Sequence, residues 1–140
     1  MPTNPRLQQG TVEWFEMVGV LMCEAASQSG LPSELNLSLV ERYTDGVALS
    51  ENLDQGLRFD IVRGRPSFRV GAQHGERADI TIEITAAAAR ALNKLYSADP
   101  HYPAAVERLL GAGEMRVDGD LAQMGGWLRA VHDTIVERTA

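Results

Sequence analysis

The sequence predicts an α+β domain: a five-stranded, mainly antiparallel sheet covered on one face by helices. Three observations lead there. Apolar residues recur at helical spacing near both ends of the chain, short segments between them alternate apolar and polar residues, and glycine- or proline-bearing joins separate the two patterns. Helices with one apolar stripe and strands with one apolar face share a single core when the helices lie together on one side of the sheet.

Thr11 is placed to cap the first helix, in which Trp14, Val18, Leu21 and Ala25 share a face widened by Phe15 and Met22. Gly30 and Pro32 end it. Leu35, Leu37 and Leu39 then alternate with Asn36 and Ser38 as a first strand, and Leu57, Phe59 and Ile61 repeat the device. Arg63-Gly64-Arg65-Pro66 reads as a hairpin turn into a return strand at 67–71. Ile80, Ile82 and Ile84, alternating with Thr81 and Glu83, form the clearest strand. Thr85 caps an alanine-rich helix over 86–96, Asp99-Pro100-His101-Tyr102-Pro103 breaks it, and Pro103 suits the first turn of a short helix carrying Val106, Leu109 and Leu110. A last strand spans 114–119. One continuous helix from Leu121 then closes the chain, with Met124, Leu128, Val131 and Ile135 on its apolar stripe.

At 140 residues the chain is long enough for one domain, expected over 11–139, with residues 1–10 as a flexible tail. No apolar run reaches the roughly 20 residues that span a bilayer. No secretory signal or peroxisomal address is recognisable, so a cytoplasmic protein without stable membrane insertion is expected. A net charge of −6 argues against nucleic acid, whose binders concentrate positive charge. Cys23 is the single cysteine and falls within a helical apolar pattern, as a packed thiol does.

The chain has no phosphate-binding glycine loop, zinc-type pair or nucleophile elbow, and its histidines, His74, His101 and His132, lie far apart. No catalytic residue, metal or cofactor is expected. Tyr43 and Asp45 are the nearest approach to an acid/base pair: a phenol and a carboxylate in one pocket would serve an isomerase or cyclase acting on a polycyclic substrate. Strand-end polarity explains them more simply. Arg58, Arg63, Arg65, Arg69 and Arg77 cluster around the hairpin, either as a solvated face or as a dock for an anionic head group or an acidic partner, as in an accessory subunit of a lipid-metabolising complex. Within Asp118-Gly119-Asp120, Asp120 stands where a helix N-cap belongs, and the segment offers too few acidic groups for an oxygen-coordinated cation.

The stretch GEMRVDGDLAQMGGWL resembles the segment near the end of sterol carrier protein 2 domains in which a strand passes through Gly-Asp into a helix. ADITIEIT is similar to that family's strand before its helical pair, and LRFDIVRGRPSFRVG to its central hairpin, so the resemblance covers about residues 35–130 and suggests a bacterial stand-alone member. It implies an apolar tunnel between sheet and helices that takes up sterols, fatty acids or fatty acyl-CoA, and no catalytic residues. The chain departs from the family at the long Asp99–Pro103 break, at Gly125-Gly126 and in having no peroxisomal tail.

The residues themselves agree with an apolar interior. Trp14, Val18 and Leu21 of the first helix, Phe59 and Ile82 of the sheet, and Met124, Trp127 and Leu128 of the last helix face a common space, which is either a ligand site or a filled core. Gly125-Gly126 inside a helix would cost about 1 kcal/mol each relative to alanine, offset by close packing or by room for a ligand. The expected function is non-enzymatic binding and carriage of a hydrophobic ligand, a sterol, fatty acid, fatty acyl-CoA or isoprenoid.

Overall fold

The computed structural model describes residues 5–140. Helix α1 (Val12–Gln28) starts where the sequence places its cap, with the Thr11 hydroxyl accepting from the Trp14 N–H at 3.2 Å. Six strands follow the alternating segments: β1 (Leu37–Tyr43), β2 (Ala48–Ser50), β3 (Leu53–Val62), β4 (Arg65–Ala72), β5 (Ile80–Ile84) and β6 (Met115–Asp118). The five long strands are the expected ones; the three-residue β2 is an addition too short to show a period. Helix α2 (Ala86–Leu92) is capped by Thr85, whose hydroxyl accepts from the Ala88 N–H, and ends four residues before the expected Tyr96. Helices α3 (His101–Gly111) and α4 (Trp127–Arg138) complete the set.

Strand β3 pairs antiparallel with β1, β2 and β4; β1 pairs parallel with β5, and β5 antiparallel with β6. The registers align side chains into rows across the sheet. On the inner face one row runs Phe68, Phe59, Leu39, Ile80, and the next runs Val70, Leu57, Glu41, Ile82, Val117. The helices cover this face, and the core forms between them.

The outer face carries ion pairs instead. Arg42 meets Glu83 at 2.7 Å, Arg77 meets Asp118 at 2.7 Å, and Arg58 meets Asp60 at 3.0 Å. Arg58 and Arg69 stand directly opposite one another on β3 and β4, a repulsive arrangement. Glu76 sits between them, 2.9 Å from Arg58 and also paired with Arg69. Burial pushes the Glu76 carboxyl up, but the Gln73 N–H and the two guanidiniums outweigh it and hold its pKa below the usual range. Much of the arginine cluster is therefore neutralised within the sheet.

The ends of the chain depart from expectation. Of the tail expected at 1–10, residues 1–4 lie outside the described residues, whereas Leu7 pairs with Thr139 in a parallel bridge and the Gly10 carbonyl accepts from Gln55 at 2.9 Å. The expected last helix is also two pieces. Asp120 does cap, accepting from the Ala122 N–H at 2.9 Å, but what it caps is a 3₁₀ turn, Leu121–Met124. Gly125 then takes φ 112°, which only glycine adopts readily, and α4 begins at Trp127. The glycine pair thus serves a break in the helix; a side chain at Gly126 would meet open space, so tight packing is not its purpose.

Close packing occurs elsewhere. A Cβ on Gly19, in the middle of α1, would run into the Phe68 ring of β4. Gly19→Ala should force the helix and hairpin apart and lower stability by about 1–3 kcal/mol, the usual range for overpacking. Urea denaturation of the purified variant measures this, and an unchanged midpoint would show that the Phe68 ring yields freely.

Candidate functional site

Between the inner sheet face and the helices lies a partly open cavity of about 290 Å³. Helix α1 contributes Trp14, Phe15, Val18 and Met22; the sheet contributes Leu39, Leu57, Ile82, Ile84 and Val117. The other helices close it with Leu92, Val106, Leu128, Val131 and Ile135. All but Leu92 and Val117 come from the apolar stripes and faces named from the sequence pattern, and the wall is hydrocarbon almost throughout.

Of the eight expected lining residues, Trp14, Val18, Ile82 and Leu128 line this cavity, whereas Leu21, Phe59, Met124 and Trp127 do not. Phe59 is fully buried, and the Trp127 ring covers it with centroids 5.7 Å apart. Trp127 Nε1 is itself buried without a partner among the described residues. Met124 is buried in the 3₁₀ turn, and Leu21 packs half-buried against the core. These four belong to the filled part of the interior.

Four polar side chains reach the wall: Glu41, Asn93, Tyr102 and His132. His132 Nε2 lies 2.8 Å from the Leu95 carbonyl, which can only accept, so this nitrogen carries the proton; the ring also packs 4.8 Å from that of Tyr102. Asn93 donates to Gln9 at 3.2 Å, and Gln9 in turn donates to the Tyr43 hydroxyl at 3.1 Å. Trp14, which also lines the cavity, donates its Nε1–H to Thr139 at 3.0 Å.

Glu41 differs from these. It stands on β1 with Leu57 on one side and Ile82 on the other, the one charged member of an apolar row. The area its side chain still exposes opens onto the cavity. Among the described residues no hydrogen bond or ion pair engages its carboxylate, and burial alone pushes its pKa up to about 7. Burial and then the Glu41 charge raise the pKa of both Tyr43 and Tyr102. The sequence signal for Glu41 was present: continuing the alternation of Leu37 and Leu39 two residues further brings it to the inner face.

The proposed pairing of Tyr43 and Asp45 fails. Tyr43 is buried on the inner face with its hydroxyl bound to Gln9, while Asp45 is exposed and accepts from the Ala86 N–H at 2.8 Å, helping to cap α2. His74 lines a separate polar depression beside the Arg42–Glu83 pair, and exposed His101 bonds Asp99 at 3.0 Å. Cys23 is half-buried, and its thiol pKa is raised by burial and by Glu24. Among the described residues no group of three acidic, histidine or cysteine side chains is placed to hold a metal.

No family model and no curated protein matches the chain. Among solved structures, it is similar to a UbiJ-SCP2 ubiquinone synthesis protein, with 15% identity over 93% of each chain and a TM-score of 0.49. It is likewise similar to a sterol carrier protein 2, with 13% identity over 95% of this chain and 100% of the other and a TM-score of 0.49. A conserved hypothetical protein from Thermus thermophilus, described as possibly a sterol carrier protein, matches with 16% identity over 94% and 92% and a TM-score of 0.49. The chain is similar to sterol carrier protein 2 domains. At these values the likeness carries nothing about ligand or activity, which rest on the cavity alone.

The raised Glu41 pKa has a measurable consequence. A carboxyl protonated more readily in the folded than in the unfolded state costs no stability below about pH 4.5, then costs progressively more until pH passes 7, where the loss levels off at roughly 3 kcal/mol. Glu41→Gln should remove this loss, so the variant's melting temperature should stay flat across that interval while the wild type's falls. Parallel pH dependences for the two proteins would place the Glu41 carboxyl in water.

Proposed function

We propose that this protein binds a single apolar small molecule in the cavity between sheet and helices and carries it without chemical conversion. The observation that supports this is the near-continuous hydrocarbon wall around about 290 Å³ of space, at the lower end of the size of small-molecule pockets. The wall offers water few hydrogen-bond partners, so an apolar ligand that displaces water from it gains roughly 25 cal/mol for each Å² of apolar surface it buries. The size suits one hydrocarbon chain or a small ring system; the head group of an acyl-CoA would have to remain outside.

Among the described residues no helix is long and apolar enough to cross a membrane. We place the carrier in the cytoplasm, delivering its ligand to a membrane or an enzyme. Arg63 and Arg65, exposed at the β3–β4 turn, are the arginines of the cluster left to meet an anionic head group or an acidic partner, since Arg58 and Arg69 are held by Asp60 and Glu76.

Native mass spectrometry of the purified protein, with organic extraction of whatever it holds, should show one apolar molecule per chain. Leu128→Trp, which adds bulk at a half-buried lining position, should weaken that uptake by about tenfold or more while leaving the far-ultraviolet circular dichroism unchanged. Undiminished uptake in a folded Leu128→Trp protein would move the ligand to another site.

A further inference from the structure

Resting on the reading of the cavity as a ligand site, we propose that Glu41 is its recognition group and that it selects an uncharged apolar alcohol. The ligand hydroxyl would sit on the Glu41 carboxyl, with the hydrocarbon against Leu57, Ile82 and Val117.

The position argues for recognition. Glu41 lies mid-row on the central strand, where an apolar residue would pack against Leu57 and Ile82 at no cost. A carboxyl kept there without a partner lowers stability, and a ligand that supplies a hydrogen-bond donor recovers the loss. The other polar groups of the wall are already engaged or weaker: His132 has its Nε2 proton on Leu95, Asn93 donates to Gln9, and Trp14 donates to Thr139. Tyr102, a neutral phenol from α3, is the remaining titratable neighbour, while β3, β5 and β6 present only apolar side chains to the cavity. Tyr43, the next inward residue of β1, has its hydroxyl on Gln9.

The charge balance then narrows the ligand class. Neither arginine nor lysine lines the cavity, so a carboxylate ligand would find no counter-charge and would face Glu41 itself. A pure hydrocarbon would leave the Glu41 carboxyl unsatisfied. A hydroxyl both donates and accepts, so it meets the ionised carboxylate as a donor and the neutral acid as an acceptor. This excludes fatty acids as the preferred cargo and favours long-chain, isoprenoid or ring alcohols.

Calorimetric titration of the wild type with decyl alcohol, decyl methyl ether and decanoic acid tests this. The three share a chain and differ in whether the head donates, only accepts or is charged. At about pH 8 the alcohol should bind about tenfold or more tighter than either of the others, as a hydrogen bond to a charged group implies. At about pH 6 the preference over the ether should narrow, because the protonated carboxyl can donate to the ether oxygen, and decanoate should gain affinity. Glu41→Leu should abolish the preference between alcohol and ether while still binding both. If both bind the wild type equally at about pH 8, the assignment of Glu41 is overturned and apolar carriage stands. If none of the three binds, both readings fall. The wild-type comparison needs no variant, so it decides the matter even if Glu41→Leu does not fold.

Discussion

Strand β1 is hydrogen-bonded along both edges, antiparallel to β3 and parallel to β5, and its register sets which side chains the helices meet. Side chains alternate with a period of two, so a slip of one residue would turn Leu37, Leu39 and Glu41 to the outer face and bring Arg42 into the interior. Two features oppose that slip. Leu39 packs in a row with Phe59 and Ile80, and Arg42 is held to Glu83 on the other face. The same register that satisfies the apolar residues therefore also commits Glu41 to the inside.

The two faces of the sheet treat charge in opposite ways. On the outer face Asp60, Glu83 and Asp118 each meet a guanidinium, and Glu76 even reconciles two arginines that would repel. On the inner face a single carboxyl has no cation within the wall. Paired charges near solvent contribute little to stability in either direction, whereas an unpaired buried one costs much more. The asymmetry sets Glu41 apart within a cavity whose other polar wall groups, Asn93, Tyr102 and His132, include neither lysine nor arginine.

The cavity exists because the helices do not collapse onto the sheet along its whole length. Gly19 lets α1 approach β4 closely at Phe68, which closes the interior at that edge. Further along, the break at Gly125 separates the 3₁₀ turn from α4, so Trp127 covers Phe59 and Met124 is buried in the turn, while Leu128, Val131 and Ile135 border open volume. Binding Leu7 to the end of α4, and Trp14 to Thr139, ties the covering helices together at the chain ends. Shape here follows from a few close contacts rather than from the overall supply of apolar residues.

Periodicity together with turn and capping residue types determined the α+β class, the five expected strands, the hairpin at Arg63-Gly64 and the capping roles of Thr11 and Thr85, because these follow from neighbours a few residues apart. The inner position of Glu41 was also legible, by extending the alternation of β1, although nothing local shows that its carboxyl lacks a partner. Tertiary structure decided the rest. Phe59 and Ile82 occupy equivalent positions in the pattern, yet one is covered by Trp127 and the other borders the cavity. Tyr43 and Asp45, two residues apart, part company where the strand ends. Whether an apolar side chain fills a core or lines a cavity depends on what stands opposite it across the interior, and that partner is set by packing between elements far apart in the chain.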